Sequence, residues 1–182
     1  MQFKSTVLVL LGATRLMAQP VQEGNIMAVR DYVELDRKPA STGNGTLIFM
    51  GPEDGANVER SANLVEGRAS CQTDPAPTCS GSHTARNEIC DQLITELFAD
   101  PTVSVGSSPR QICYQGAAAN KNSYCCVSWH KVVNNLTKGD LAPIAQKIQQ
   151  TCTQNGISGK TYSVWVHSTC TDVCLSNRGT GC

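Results

Sequence analysis

Ten cysteines constrain this chain more than any other feature, and all of them lie at or beyond residue 71: Cys71, Cys79, Cys90, Cys113, Cys125, Cys126, Cys152, Cys170, Cys174 and Cys182. From there to the carboxy terminus cysteine makes up about 9 % of the residues, a density found in disulfide scaffolds. Thiols in that number and in even count predict an oxidising compartment and five bridges. No CxxC occurs; the short spacings are the adjacent Cys125 and Cys126 and the pair Cys170 and Cys174. Structural metal sites are typically built from repeated pairs of the CxxC kind, which are absent here, so no metal and no other cofactor is expected. Spacing alone does not give the connectivity. One constraint holds even so: neighbours on a strand point to opposite faces, so Cys125 and Cys126 should bond to different partners.

The amino terminus fits the same compartment. Lys4 precedes the apolar run Val7, Leu8, Val9, Leu10 and Leu11, and Ala18 offers a cleavage point before Gln19. Residues 1–18 therefore read as a signal peptide, too short to span a bilayer, and an extracellular protein without a transmembrane segment is expected. Two sequons, at Asn44 and Asn135, sit among turn-forming residues and are candidate glycosylation sites.

Charge narrows the partners. The 182 residues carry 15 basic and 15 acidic side chains, a formal net charge of zero, which argues against electrostatic binding of nucleic acid. Acidic residues outnumber basic ones in the cysteine-free stretch 19–70, which reads as a flexible arm or pro-segment that a cut after Arg68 would release. Beyond Asp100 the balance reverses: Arg110, Lys121, Lys131, Lys138, Lys147, Lys160 and Arg178 stand against Asp140 and Asp172. A mildly cationic face on the 71–182 domain is expected, with the acidic arm as its cover.

Periodicity supplies the elements. Ile89, Leu93 and Leu97, with Cys90, Ile94 and Phe98, give an apolar helix face over about 84–99 that Asp100-Pro101 ends. Alternation predicts strands at 110–116 and 124–132 joined as a hairpin. Asp140 is the expected N-cap of a second helix, with Pro143 in its first turn, running to Cys152. A strand follows over 160–168, then a loop-rich tail pinned by Cys170, Cys174 and Cys182. With Thr46–Met50 as a leading strand the order becomes strand, helix, strand, strand, helix, strand. That order predicts an α+β two-layer sandwich of the split β-α-β type, with two helices on one face of a small antiparallel sheet. Bridges must supply much of its stability.

Four stretches carry a family likeness: Cys79 to Asn87 (CSGSHTARN), Gln111 to Tyr114 (QICY), Tyr124 to His130 (YCCVSWH) and Cys174 to Cys182 (CLSNRGTGC). In them the chain resembles the WD-like domain of small secreted fungal proteins, over about residues 70–182. Despite that domain's name, no repeat of a propeller blade's length is present. The order of elements resembles, more loosely, necrosis-inducing effectors and fungal killer toxins. The likeness implies a fungal, exported protein acting at a host or competitor interface, without catalytic residues to carry over.

These expectations make the chain a monomeric effector-like or toxin-like binding protein directed at a host, competitor or cell-wall target. Two alternatives differ in class. A small secreted hydrolase of ribonuclease type would use His130 and His167 as acid and base and Arg110 as a phosphate clamp, though Asp100, Asp140 and Asp172 are expected at helix ends or loops, leaving no acid on a strand. A cell-wall structural protein is the other. His83 is expected to serve local hydrogen bonding at the first helix, and Glu88 to complement its dipole.

Overall fold

The computed structural model describes residues 32–52, 70–117 and 124–178. The signal peptide expected over residues 1–18, Arg68, Lys121 and Cys182 lie outside them. In chain order the elements are β1 (Tyr32–Pro39), β2 (Thr46–Pro52), β3 (Thr78–Ser80), α1 (Asn87–Ala99), β4 (Gln111–Gln115), β5 (Tyr124–Trp129), α2 (Lys138–Thr151), β6 (Ser158–Val166) and β7 (Thr169–Ser176). The strands form one seven-stranded sheet in the order β1-β2-β4-β5-β7-β6-β3. Every neighbouring pair runs antiparallel. With α1 and α2 packed on it, the fold is a disulfide-stapled α+β domain.

Strand alternation divides the sheet into two unlike faces. Leu47 and Phe49 of β2, Ile112 and Tyr114 of β4, Val127 and Trp129 of β5, and Val173 and Leu175 of β7 point to the helices, where Leu93, Leu97, Leu141 and Ile148 meet them in one continuous core. A fully buried side chain of this kind contributes about 1.5–3 kcal/mol, so this layer gives the domain a genuine hydrophobic interior. The other face, on which no helix packs among the described residues and which is called the open face for that reason alone, carries a small buried cluster of Ile48, Cys113 and Cys126 with Met50 and Tyr124 beside it.

Disulfides join the layers and the sheet. Cys90 of α1 bonds Cys125 of β5 on the helix face, while Cys113 and Cys126, direct cross-strand partners, bond on the open face. Cys79 of β3 bonds Cys152 at the end of α2, and Cys71 bonds Cys170 of β7. Cys174 is disulfide-bonded as well.

Several expectations change. Residues 32–52 are not a flexible arm: β2 pairs with β4 along its length, because Leu47 and Phe49 complete the helix-side core. The acidic side chains of β1 pair locally, Glu34 with Arg37 and Asp36 with Lys38, so they do not cover the basic residues of the later chain. The expected loop-rich tail is strand β7, seated centrally between β5 and β6, because Val173 and Leu175 alternate into the core. The split β-α-β arrangement does hold: β5 and β6, the strands that flank α2, are separated by β7, which runs antiparallel to both, and β3 and β4 on either side of α1 also stand apart in the sheet. Helix α2 begins earlier than expected. Its N-cap is Thr137, with Asp140 three residues on accepting from the Thr137 N–H at 2.8 Å, so Pro143 falls inside the helix. Phe98 is 46 % exposed rather than part of the buried face of α1, and Glu96 takes a buried place there.

Candidate functional site

The most distinctive local geometry is in β6. In a regular strand residues i and i+3 face opposite sides. Here the pairing runs Thr161 with Val173 and then Val164 with Thr171, a register shift that marks a bulge, and Ser163 adopts a φ of 49°. Thr161, Val164 and Val166 therefore all point inward, while Tyr162 and Trp165 share the open face at 51 % and 48 % exposure. Left-handed backbone at a non-glycine residue costs about 1–2 kcal/mol, and bonds on both sides of the strand offset it. Ser163 N–H donates to Asp172 Oδ1 at 3.0 Å. On the outer edge, Ser163 O accepts from Gln72 N–H at 2.8 Å, and Trp165 N–H donates to Gln72 O at 3.3 Å. Gln72 follows Cys71, whose bond to Cys170 secures this edge beneath Trp165, the register partner of Cys170.

Electrostatics reinforce the bulge. Lys160 Nζ lies 3.0 Å from Asp172 Oδ2 and 4.6 Å from the centroid of the Tyr162 ring, and His130 Nδ1 lies 3.8 Å from the same carboxylate oxygen. Burial pushes the Asp172 carboxyl upward in pKa, but the Ser163 N–H, the Lys160 ammonium and the His130 ring together outweigh it and hold the group below its ordinary value. A lowered carboxyl pKa contributes stability that is present above the unfolded value, about 3.9, and is lost as pH falls through the lower folded value. Asp172→Ala should therefore cost about 2 kcal/mol near neutrality, the scale of a charge-assisted hydrogen bond. Thermal melts from pH 6 down to pH 2 should then show a shallower acid-side loss than in the unaltered protein.

The three residues of the hydrolase alternative do not converge. Arg110 is buried, its Nη1 donating to Ser107 O at 2.6 Å and Pro109 O at 2.9 Å, and its burial lowers its pKa. It braces the loop before β4. His130 meets Asp172 on the open face, whereas His167 lies in the β6–β7 turn with Nδ1 3.5 Å from Asp140 Oδ1, on the side covered by α2. The expectation that no strand carries an acid is corrected by Asp172, which stands on β7 because the tail is a strand. His83 is exposed with a φ of 56°, and it is its carbonyl that bonds, accepting from Asn177 N–H. Glu88 lies 3.7 Å from Arg86 Nε at the start of α1. Asn44, in the β1–β2 turn, and Asn135, with a φ of 56°, are both exposed. Among the described residues no three His, Cys, Asp or Glu side chains are grouped to hold a metal ion, and no helix is long and apolar enough to cross a membrane.

The family described as Fungal WD-like matches residues 58–182, more than half of the chain, and the span takes in every disulfide and the whole aromatic strip. The chain belongs to the fungal WD-like family. The WD-like span begins upstream of the expected boundary at Cys71, and β1 and β2 precede it. Of the stretches that carried the likeness, one forms β4, one forms β5, one runs from β3 to the start of α1, and one continues out of β7. The WD-like domain is here a single sheet with two helices rather than a propeller. No curated protein and no solved structure matches the chain, so the looser likeness to necrosis-inducing effectors and killer toxins gains no support.

Proposed function

We propose that this WD-like protein is exported and acts, as an effector-like or toxin-like monomer, by binding a host, competitor or cell-surface target through its disulfide-stapled sheet. The observation that supports this reading most is the strip on β6, where Tyr162 and Trp165 stand half-exposed on a strand locked by Asp172, Gln72 and the Cys71–Cys170 bridge. Exposed aromatics on rigid backbone are favourable anchors because little conformational entropy is lost on binding. Glycans on Asn44 and Asn135 would project from exposed turns.

The test is binding of fluorescently labelled full-length protein, bridges intact, to fungal and plant cells. Saturable binding that is lost after reduction and alkylation is the expected result. Protein that shows no saturable binding to either cell type would overturn the reading. Cleavage of RNA that disappears in both His130→Ala and His167→Ala would favour the hydrolase instead, and retention in the wall of the producing cell that yields only to harsh extraction would favour a structural wall protein.

A further inference from the structure

On the binding reading above, the geometry points to the ligand class: we infer that the Tyr162–Trp165 strip takes the pyranose rings of an uncharged polysaccharide. The bulge at Ser163 matters first. It brings two aromatic side chains onto one face at the separation of i, i+2 neighbours, about 7 Å along the strand. Two rings at that separation can meet successive sugar units of one chain, whereas a regular strand would have buried one of them. An aromatic face is electron-rich and attracts the weakly positive C–H groups on the flat face of a pyranose.

Charge selects among partners. Lys160, whose ammonium lies 4.6 Å from the centroid of the Tyr162 ring, and Asp172 stand 3.0 Å apart and neutralise one another. Lys160 is engaged by the Tyr162 ring as well, so it offers no free cation to a phosphate or uronate polymer. What remains at the strip is hydrogen-bonding capacity from the Asp172 carboxylate, the Lys160 ammonium and the Tyr162 hydroxyl, matched to hydroxyl groups. A lipid surface would need a continuous apolar or cationic patch, and among the described residues the other exposed large apolar side chains, Leu35, Phe98 and Val103, stand on β1, on α1 and in the loop after α1. A protein partner would need a broad apolar centre that two rings set among polar groups do not provide.

The chain has two tryptophans, and only one of them is accessible: Trp129 is 1 % exposed and Trp165 48 %. The iodide-accessible part of the intrinsic tryptophan fluorescence therefore reports on the strip. Titration with hexasaccharides of β-linked glucose and of N-acetylglucosamine, with insoluble β-glucan and chitin in parallel, should give a saturable blue shift and protection from iodide quenching. Trp165→Ala should abolish retention on the insoluble glycan, and Tyr162→Ala should weaken binding at least about tenfold, as truncation of an aromatic anchor does. Trp165→Phe should keep part of the affinity, and Phe98→Ala, on the exposed side of α1, should bind as the unaltered protein does. Melting temperatures would confirm that each variant is folded. Saturable cell binding that depends on Trp165 without binding to any of these glycans would overturn the sugar assignment and leave the binding reading standing, with a protein or lipid as ligand. Cell binding untouched by both aromatic variants would overturn the strip itself. Absence of cell and glycan binding together would overturn the proposed function too.

Discussion

Cys90→Ala combined with Cys125→Ala should lower the melting temperature by about 10 °C. Their bridge closes a segment of 35 residues and is the covalent tie between α1 and the centre of the sheet. Chain-entropy arguments give about 3 kcal/mol for a 15-residue loop and somewhat more at this length, although the split between entropy and enthalpy depends on the account chosen. Both sulfurs lie in residues with no exposed surface, so their removal also leaves a small cavity beside Leu93 and Val127. At about 2–4 °C per kcal/mol for a chain of this size, the combined loss reaches the stated shift. By contrast, the Cys71–Cys170 bridge spans 99 residues in sequence, yet Cys79–Cys152 already shortens its path to about 26 residues, so its removal should cost less than its nominal loop implies. Calorimetry of the two double variants checks both the size and the order. A Cys90/Cys125 variant melting within about 3 °C of the unaltered protein would mean that packing, not the bridge, holds α1 in place.

What was legible in the sequence was the part with regular period. Leu93 and Leu97 announce α1, and Ile112 and Tyr114, then Val127 and Trp129, announce β4 and β5, because each alternation matches a sheet with one buried face. Strand β7 carried the same signal in Thr171, Val173 and Leu175, but it is interleaved with cysteines, which suggested a stapled tail. β1 gave no alternation to read, since almost all of its side chains are at the surface and its charges pair along the strand. The candidate site was hidden for a different reason. A bulge with left-handed Ser163 has no glycine to mark it, and its support comes from Asp172 and Gln72, one on the neighbouring strand and one 91 positions upstream of Ser163. Regular alternation over 160–168 would put Tyr162 with Val164 and Val166 and set Trp165 opposite them. The shift in register puts the two aromatics together instead. Buried Glu96 was likewise unreadable, as its partners are more than fifty residues away.

Those partners make the second large effect. Glu96 is fully buried in α1 and accepts from the backbone N–H and the hydroxyl of Thr42, and from the N–H of Ser41 at 3.1 Å and its hydroxyl at 3.0 Å. One carboxylate thus clamps the β1–β2 turn to the helix layer. Beside it, Gly45 lies so close to the Tyr114 ring that a Cβ would stand 2.1 Å from Cζ. None of the bridges between described cysteines reaches residues 32–52, so this hairpin depends on β2–β4 pairing, the burial of Leu47 and Phe49, and the Glu96 clamp. Burial raises the Glu96 pKa, but the four bonds from Thr42 and Ser41 outweigh burial and lower it. The sign follows: its contribution is complete above the unfolded value, about 4.3, and is lost as pH falls through the lower folded value. Glu96→Ala should cost roughly 3 kcal/mol, because it leaves two backbone donors of the turn without their acceptor. Glu96→Gln, which keeps one acceptor oxygen but no charge, should cost less and should flatten the acid limb of the stability profile. Hydrogen exchange reads this locally: amides of β1 and β2 should lose protection in Glu96→Ala at neutral pH, while those of β5 and β7, bridged and central, keep theirs. Uniform loss across the whole sheet would show instead that the hairpin and the stapled strands unfold as one unit, and that the clamp stabilises all of it.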